Sequence, residues 1–418
     1  MSAQPNSSFL AEIEAIVGAE NVRPEGEHCH ATPSSAAEIS QLAICAKKHK
    51  ATLIPVGKGG RSMPTDDMRP QILLNMGRMN HVLHLDPKSM VVHAQAGITG
   101  VVLEGLLKKR GLTLGAFAPE GLGSSLGGLL AVRTPGKSSR QHGTLEDMVL
   151  GVSAVLSDGR SVHTRVAPRR ASGPDFARIL CGSEGTLGII TSAHLRVHKQ
   201  PESRLLVAFR LPTFDEALAA VRLAMREEAS PAAMRVYDAA EAKAHLGEEC
   251  DGAEALLVAA MAGPTSLAAC DRDLVASAVS AVGGSRASEK IAVAWWARRT
   301  GASGAPTPPA PNLQVSATPR RLSPVYEAIA ASCAEQGLGF RAHASRFDRD
   351  GGVLFVTLLD AEGRVLEARS AQVSQVSEAA ESAGAYLLGK PNASLQKYFD
   401  LLRNGLDPEK LLNPGVLR

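Results

Sequence analysis

The stretch "LCGSEGTLGIIT", Leu180 to Thr191, sets three glycines, a serine and a glutamate between two apolar runs. Glycine accepts positive φ and lets backbone N–H groups reach a ligand with no Cβ in the way. The β-branched pair Ile189-Ile190 then starts a strand. One such loop is commonly just a turn, but two more stand at element junctions: "PVGKGGRS" (Pro55 to Ser62) and "SSLGGLLAVRTPG" (Ser124 to Gly136). A Walker loop would need Ser or Thr after Gly57-Lys58 and a glycine five residues before Gly57; Gly59 and Thr52 stand there instead. No GxGxxG opens a helix after the first strand. The three loops leave a nucleotide with a pyrophosphate as one candidate ligand, held by neither standard motif.

Around these loops, 418 residues are enough for two domains, since single cores rarely grow past roughly 250–300 residues. Net charge is +3 with both signs mixed, and no polybasic run is present, so neither a nucleic-acid groove nor an anionic membrane surface is indicated. A small-molecule partner is expected. The start "MSAQPNSSFLAEIEAIVG" has no basic stretch before an apolar core, and no window reaches the ~18 apolar residues of a membrane span. The expected location is cytoplasmic. Cys29, Cys45, Cys181, Cys250, Cys270 and Cys333 are scattered with no CxxC, which argues against a disulfide framework or a zinc or iron–sulfur site. In "EHCH" the residues His28, Cys29 and His30 alternate between strand faces, so no metal is expected there.

Helix and strand signals alternate through the first 200 residues. "SSAAEISQLAICAKKHK" places Ser35 and Glu38 at capping-box spacing before an apolar stripe. "ATLIPV" is a buried strand, "MVVHAQAG" another, "TGVVLEGLLKKRG" a helix stopped by Gly111, and "VSAVLSDGRSVHT" a hairpin turning at Asp158-Gly159. Beyond Arg204 the pattern changes: "RLLVAFRL", "FDEALAAVRLAMREEA", "AAMRVYD", "ALLVAAMA" and "SLAACDRDLVASAVSAVG" make one strand–helix cycle. After the Pro-rich "GASGAPTPPAP", a second cycle runs through "LQVSAT", "LSPVYEAIAASCAEQG", "GFRAHASRF", "VLFVTLLD" and "ARSAQVSQVSEAAESAG". Two such cycles predict an antiparallel sheet with helices on one face.

"GLTLGAFAPEGLGSSLGGLLAVRTPGKSSRQHGTLEDMVLGVSAVLSDGR", "PRRASGPDFARILCGSEGTLGIITSAHLRVHKQPE" and the ending "LDPEKLLNPGVLR" resemble the flavin-linked oxidoreductases of the vanillyl-alcohol oxidase and p-cresol methylhydroxylase (PCMH) type. That family includes D-lactate dehydrogenases, glycolate oxidase subunits and alkyldihydroxyacetonephosphate synthase. The similarity spans about residues 25 to 200 and returns at the C-terminus; between them only patches such as "SPAAMRVYD" match. The resemblance implies an α+β protein of two domains: a PCMH-type FAD-binding domain over residues 1–203, completed by 395–418, and an antiparallel α/β cap over 204–394 that covers the isoalloxazine. It implies FAD contacts at Pro55, Val56, Gly57, Lys58, Gly59, Gly60, Arg61 and Ser62, around the pyrophosphate. Further contacts fall on Ser124, Ser125, Gly127, Gly128, Val132, Arg133, Thr134 and Pro135, and on Glu184, Gly185, Thr186, Leu187, Gly188, Ile189 and Ile190. The chain is one residue shorter than the family pattern around Gly121 to Gly123. Arg61 stands where covalently flavinylated relatives place a histidine, so bound FAD is expected to be noncovalent.

Because the flavin supplies the hydride chemistry, the protein must bind the substrate anion and move a proton. By the same resemblance, Arg235 in "AAMRVYD" and Arg321 in "ATPRRLSPVYEA" match substrate-side arginines of the alkyl-phosphate synthase branch, and an arginine fork suits carboxylate or phosphate. Each also fits a solvated charge at a strand or helix end. His343 in "RAHASRFDRDGG" matches the first histidine of a family segment whose second histidine and tyrosine are here Arg346 and Asp348. A later histidine-rich segment appears as "GAYLLGKPNASLQKYF", without histidine. His343 is thus a candidate base, although a lone strand histidine also fits a structural role. The expected reaction is FAD-dependent dehydrogenation of a small 2-hydroxy acid such as D-lactate or glycolate. The rivals are alkyldihydroxyacetonephosphate synthase-like chemistry and a noncatalytic FAD-binding subunit of a glycolate oxidase-type complex, which would bring a partner subunit.

Overall fold

The computed structural model describes residues 7–26, 28–57, 67–115, 122–134, 139–166, 173–250, 252, 254–300, 309–368, 370–388 and 393–416. The chain divides into two compact units. Met1–Gly136, Gly143–Gln200 and Pro391–Arg418 form the first, Lys137–His142 and Pro201–Lys390 the second.

In the first unit, α1 (Ser7–Val17), β1 (Val22–Glu25), β2 (His28–Ala31), α2 (Ala36–Lys48), β3 (Thr52–Val56) and β4 (Gln71–Asn75) build a sheet of order β1-β2-β4-β3. β2 and β3 run parallel to β4, and β1 closes the edge antiparallel. α2 begins at its predicted cap: Ser35 Oγ accepts from Glu38 N at 3.2 Å, and the Glu38 carboxylate accepts from Ser34 N and Oγ. Its stripe of Ile39, Leu42, Ala43 and Ala46 is buried. Next come β5 (Val82–Asp86), β6 (Val91–Gln95), α3 (Gly100–Lys108), β7 (Leu112–Thr113) and α4 (Leu126–Ala131); α5 (Ser139–His142) belongs to the second unit. The first unit resumes with β8 (Val149–Val155), β9 (Ser161–His163), α6 (Phe176–Leu180), β10 (Ile189–Arg196) and β11 (His198–Lys199). An antiparallel sheet of order β5-β6-β10-β8-β9 results. The hairpin at Asp158-Gly159 is present, with Gly159 at φ 83° and Val155 opposite Ser161.

The second unit contains β12 (Ser203–Leu211), α7 (Phe214–Arg226), β13 (Ala233–Tyr237), α8 (Ala239–Leu246), β14 (Ala255–Gly263), α9 (Thr265–Ala281), β15 (Ser285–Arg286) and α10 (Glu289–Arg299). It continues through β16 (Leu313–Ala317), α11 (Leu322–Glu335), β17 (Gly339–Asp348), β18 (Gly351–Leu359), α12 (Ala371–Ser382) and β19 (Tyr386–Leu387). All these strands join one antiparallel sheet of order β15-β12-β14-β13-β17-β18-β16-β19. On one face Met234, Val236, Leu257, Ala342 and Leu354 pack with buried residues of α7, α9, α11 and α12. The reverse face is not bare, as the one-sided pattern predicts. There Tyr237, Leu256 and Val258 meet Ala242 and Leu246 of α8 and Ile291, Ala292 and Trp295 of α10. α8 escapes the periodic reading because it is eight residues long and its buried positions include Glu241, which interrupts the apolar stripe.

The segment after α13 (Ala393–Leu406) returns to the first unit as an added edge beside β3. Leu53 N donates to Leu411 O at 2.8 Å, Asn413 N donates to Leu53 O at 3.1 Å, and Leu53 and Leu412 form a parallel bridge. Buried Asp407 fixes the turn by accepting from Leu411 N and Leu412 N at 2.9 and 2.8 Å. Burial pushes its carboxyl above the usual range. Arg69 donates to the carbonyls of Glu409 and Lys410.

Candidate functional site

Three sequence-distant glycine segments meet in the first unit. The groove they form is lined by Pro55, Val56 and Gly57 at the end of β3, by Ser124, Ser125, Gly127, Gly128, Val132 and Thr134 around α4, and by Glu184, Gly185, Gly188, Ile189 and Ile190 leading into β10. Met76, Ala96, Leu129, Ala131 and Asn413 complete the lining, and none of these was singled out from sequence. Lys58, Gly59, Gly60, Arg61, Ser62 and Pro135 lie outside the described residues.

The turn before β10 takes its shape from left-handed backbone: Gly182 at φ 80°, Glu184 at 49° and Gly185 at 77°. Such angles are open to glycine and costly for a residue with a Cβ, so Glu184 must be held from outside. Asn413 holds it, its Nδ2 donating to Glu184 O at 2.6 Å, while Glu184 N donates to Ala131 O at 3.0 Å. A Cβ on Gly185 would come 2.8 Å from Pro55 Cγ, and one on Gly57 would come 2.7 Å from Ser125 Oγ. The lining is therefore main chain and small side chains in tight mutual contact, a surface suited to a flat, extended dinucleotide.

Three expected contacts turn elsewhere. Thr186 and Leu187 are buried beneath the turn, with Thr186 Oγ1 donating to Ser183 O at 2.6 Å. Arg133, at φ 50°, directs its Nε to Cys181 O at 3.0 Å and to the Glu146 carboxylate at 2.7 Å. It braces the α4 and α6 segments against each other.

The second unit gathers a polar cluster on the sheet face shared with α8. Tyr237, His343 and Phe355 are cross-strand neighbours on β13, β17 and β18. His343 is buried, its ring stacked on Phe355 at 4.8 Å and 10°. Its Nδ1 lies 2.9 Å from Oε1 of buried Glu241, and His245 Nε2 lies 2.9 Å from the same oxygen. Glu241 Oε2 pairs with Arg341 Nε at 2.9 Å. Burial opposes ionisation of Glu241, but hydrogen bonds from His245 and His343 overcome it and hold the carboxyl at about 2. A carboxylate only accepts, so both histidine nitrogens facing it carry hydrogen. Burial first, and then the Arg235 charge, lower His343 to about 3. The ring is therefore neutral with Nδ1 protonated, and Nε2 keeps a lone pair.

Arg235 rises from β13 on this face, its Nη1 3.2 Å from Tyr237 OH, while its buried Nε finds no hydrogen-bond partner among the described residues. Asp238 caps α8, accepting from Glu241 N at 2.7 Å and Ala342 N at 2.6 Å; burial and the Glu241 charge raise its carboxyl to about 7. Of the three residues expected to carry chemistry, Arg235 and His343 are thus brought together. Arg321 is exposed at the start of α11, against Gly384, and no described contact joins it to the cluster. Glu241, His245 and Arg341 escaped sequence reading; the i,i+4 Glu–His pair directly after the Asp238 cap was the available signal.

The FAD binding domain family matches residues 28–165, and the C-terminal domain of FAD linked oxidases matches residues 200–390. Alkyldihydroxyacetonephosphate synthase of Dictyostelium discoideum is 36% identical over 213 residues, 50% of this chain and 35% of that protein. The mitochondrial D-lactate dehydrogenase [cytochrome] of Arabidopsis thaliana is 33% identical over 190 residues, 44% of this chain and 33% of that protein. The chain thus spans about a third of the length of these relatives. In fold, an alkyldihydroxyacetonephosphate synthase structure superposes with a TM-score of 0.77 at 21% identity, covering 98% of this chain and 85% of that one. Substrate-bound p-cresol methylhydroxylase gives 0.65 at 14% identity, covering 98% of each chain.

Proposed function

We propose, from the premise that this chain belongs to the FAD-linked oxidases and uses FAD, that it dehydrogenates a small 2-hydroxy acid such as D-lactate or glycolate to the 2-oxo acid. The observation that carries the reading is His343: neutral, oriented through Nδ1 by a buried carboxylate, and beside an arginine whose buried Nε has no partner among the described residues. The glycine-lined groove of the first unit would hold FAD noncovalently, and bound FAD supplies the two-electron acceptor. Arg235 would take the substrate carboxylate through charge-assisted hydrogen bonds. His343 Nε2 would accept the hydroxyl proton as the C2–H electron pair leaves as hydride and the C=O bond forms. Glu241 would stabilise the resulting imidazolium and keep Nε2 aimed at substrate.

The identity to a D-lactate dehydrogenase supports this reading. The synthase-like alternative gains from the 36% identity to alkyldihydroxyacetonephosphate synthase, but Asp348 stands where its tyrosine is expected. Among the described residues no disulfide joins any of the six cysteines, and five of them are buried. Among the described residues, no helix is long and apolar enough to cross a membrane. The test is anaerobic mixing of the purified flavoprotein with D- and L-2-hydroxy acids. Bleaching of the flavin by one enantiomeric series is expected. Resistance to every acid would favour a noncatalytic, FAD-binding subunit.

A further inference from the structure

His343 and Arg346 are three residues apart on β17, so regular strand alternation would point them to opposite faces. Both nevertheless meet the Phe355 ring: His343 stacks on it at 4.8 Å, and the Arg346 guanidinium lies 5.0 Å from its centre. The register of β17 against β18 shifts between Ser345 and Asp348, and Arg346 adopts φ 53°, a left-handed angle that arginine rarely takes. An extra residue in a strand re-aims a side chain in this way, and strain of this kind persists where the surroundings impose it, often at functional sites.

The charges around His343 do not balance. Arg341 is matched by Glu241. Asp238 is directed at the amides of Glu241 and Ala342, and burial raises its carboxyl to about 7. Among the described residues no carboxylate comes within ion-pair distance of Arg235 or Arg346. Glu241, His245 and His343 are of metal-ligand type, with donor atoms within 4.8 Å of one another. Two uncompensated guanidinium groups beside them favour an anion over a cation.

We infer that the face carrying Arg235, His343 and Arg346 binds a substrate with two negative charges, a dicarboxylate or a phosphate ester, with Arg346 as the residue that selects it over monocarboxylates. This rests on the 2-hydroxy-acid reading and narrows it: Arg235 takes one anionic group and Arg346 the second. Binding of a dianion would also offset the Arg235 charge, which after burial is the second cause lowering His343.

The test is calorimetric titration of the holoenzyme with D-lactate, D-malate and glycerol 3-phosphate, beside Arg346→Gln and Arg346→Lys at wild-type flavin content. One or both dianions should bind roughly 10- to 100-fold more tightly than D-lactate. Arg346→Gln should remove most of that preference, weakening the dianions far more than it weakens D-lactate; Arg346→Lys should keep most of it, since it retains the charge. A preference for D-malate alone identifies the second group as carboxylate, and one for glycerol 3-phosphate alone identifies phosphate. Equal affinity for all three ligands, or an equal loss for all three in Arg346→Gln, overturns the inference. Because binding is read directly, it can hold even if no hydroxy acid bleaches the flavin, which would count against the dehydrogenase reading alone.

Discussion

The groove of the first unit is walled by main chain, with glycine at Gly57, Gly127, Gly128, Gly185 and Gly188 keeping side chains out. The cluster of the second unit is made of side chains: Arg235, Glu241, His245, Arg341, His343 and Phe355, drawn from β13, α8, β17 and β18. A surface of main chain suits a long ligand whose recognition is spread over many weak contacts. A knot of charged side chains suits a small ligand that must be held at one or two atoms while a proton moves. The two regions should therefore fail differently when altered, the cluster in rate and the groove in cofactor content.

The sharpest separation should come from His343→Ala, which removes the proposed base. Turnover should fall by about 10²-fold or more with flavin content unchanged, as read by single-turnover flavin reduction. Arg321→Ala, altering an exposed helix-start residue, should stay within about twofold; a loss as large as that of His343→Ala would place Arg321 in the site after all. On the groove side, Gly185→Val puts a β-branched residue at φ 77° with its Cβ against Pro55. Flavin bound per protein should drop at least about tenfold, whereas Gly105→Ala, in open space on α3, should leave it unchanged. Equal loss in both would mean general misfolding.

Smaller effects test the supports. Asn413→Ala removes the amide donor to Glu184 O, so FAD affinity should weaken about 2- to 12-fold, the range of one hydrogen bond. In the cluster, Asp238 is raised from 3.8 to about 7. A group raised on folding adds stability that is full below its unfolded value and is lost as pH rises through the folded one. The wild type should thus lose a few degrees of Tm relative to Asp238→Asn between about pH 5 and 8; a pH-independent difference would show that Asp238 is ionised throughout.

The same contrast explains what could be read in advance. Gly57, Gly127 and Gly185 lie in short ordered motifs, and the constraint that placed glycine there is local, so the groove was legible segment by segment. Ser35 with Glu38 and the turn at Asp158-Gly159 were legible for the same reason. Glu241 was not, because its meaning depends on Arg341 and His343 a hundred residues later, and an isolated Glu in a short helix reads as a solvated charge. Arg346 was visible only as a departure from a family pattern; its direction depends on a bulge that no periodicity announces. Arg133 sits in a motif but spends its side chain on Glu146 and Cys181, a distinction that only geometry supplies.

The strand-edge return of residues 411–413 also sets an order of events during synthesis. Leu53 gains its neighbours Leu411 and Asn413, and Glu184 its amide donor, only after more than two hundred further residues have been translated. A nascent chain that lacks residues 411–413 can assemble the glycine segments but cannot complete the groove, so stable flavin capture should wait for this segment to be made. Nascent chains stalled before residue 407 should remain colourless, and the cell thereby commits flavin only to chains whose translation has passed the turn at Asp407.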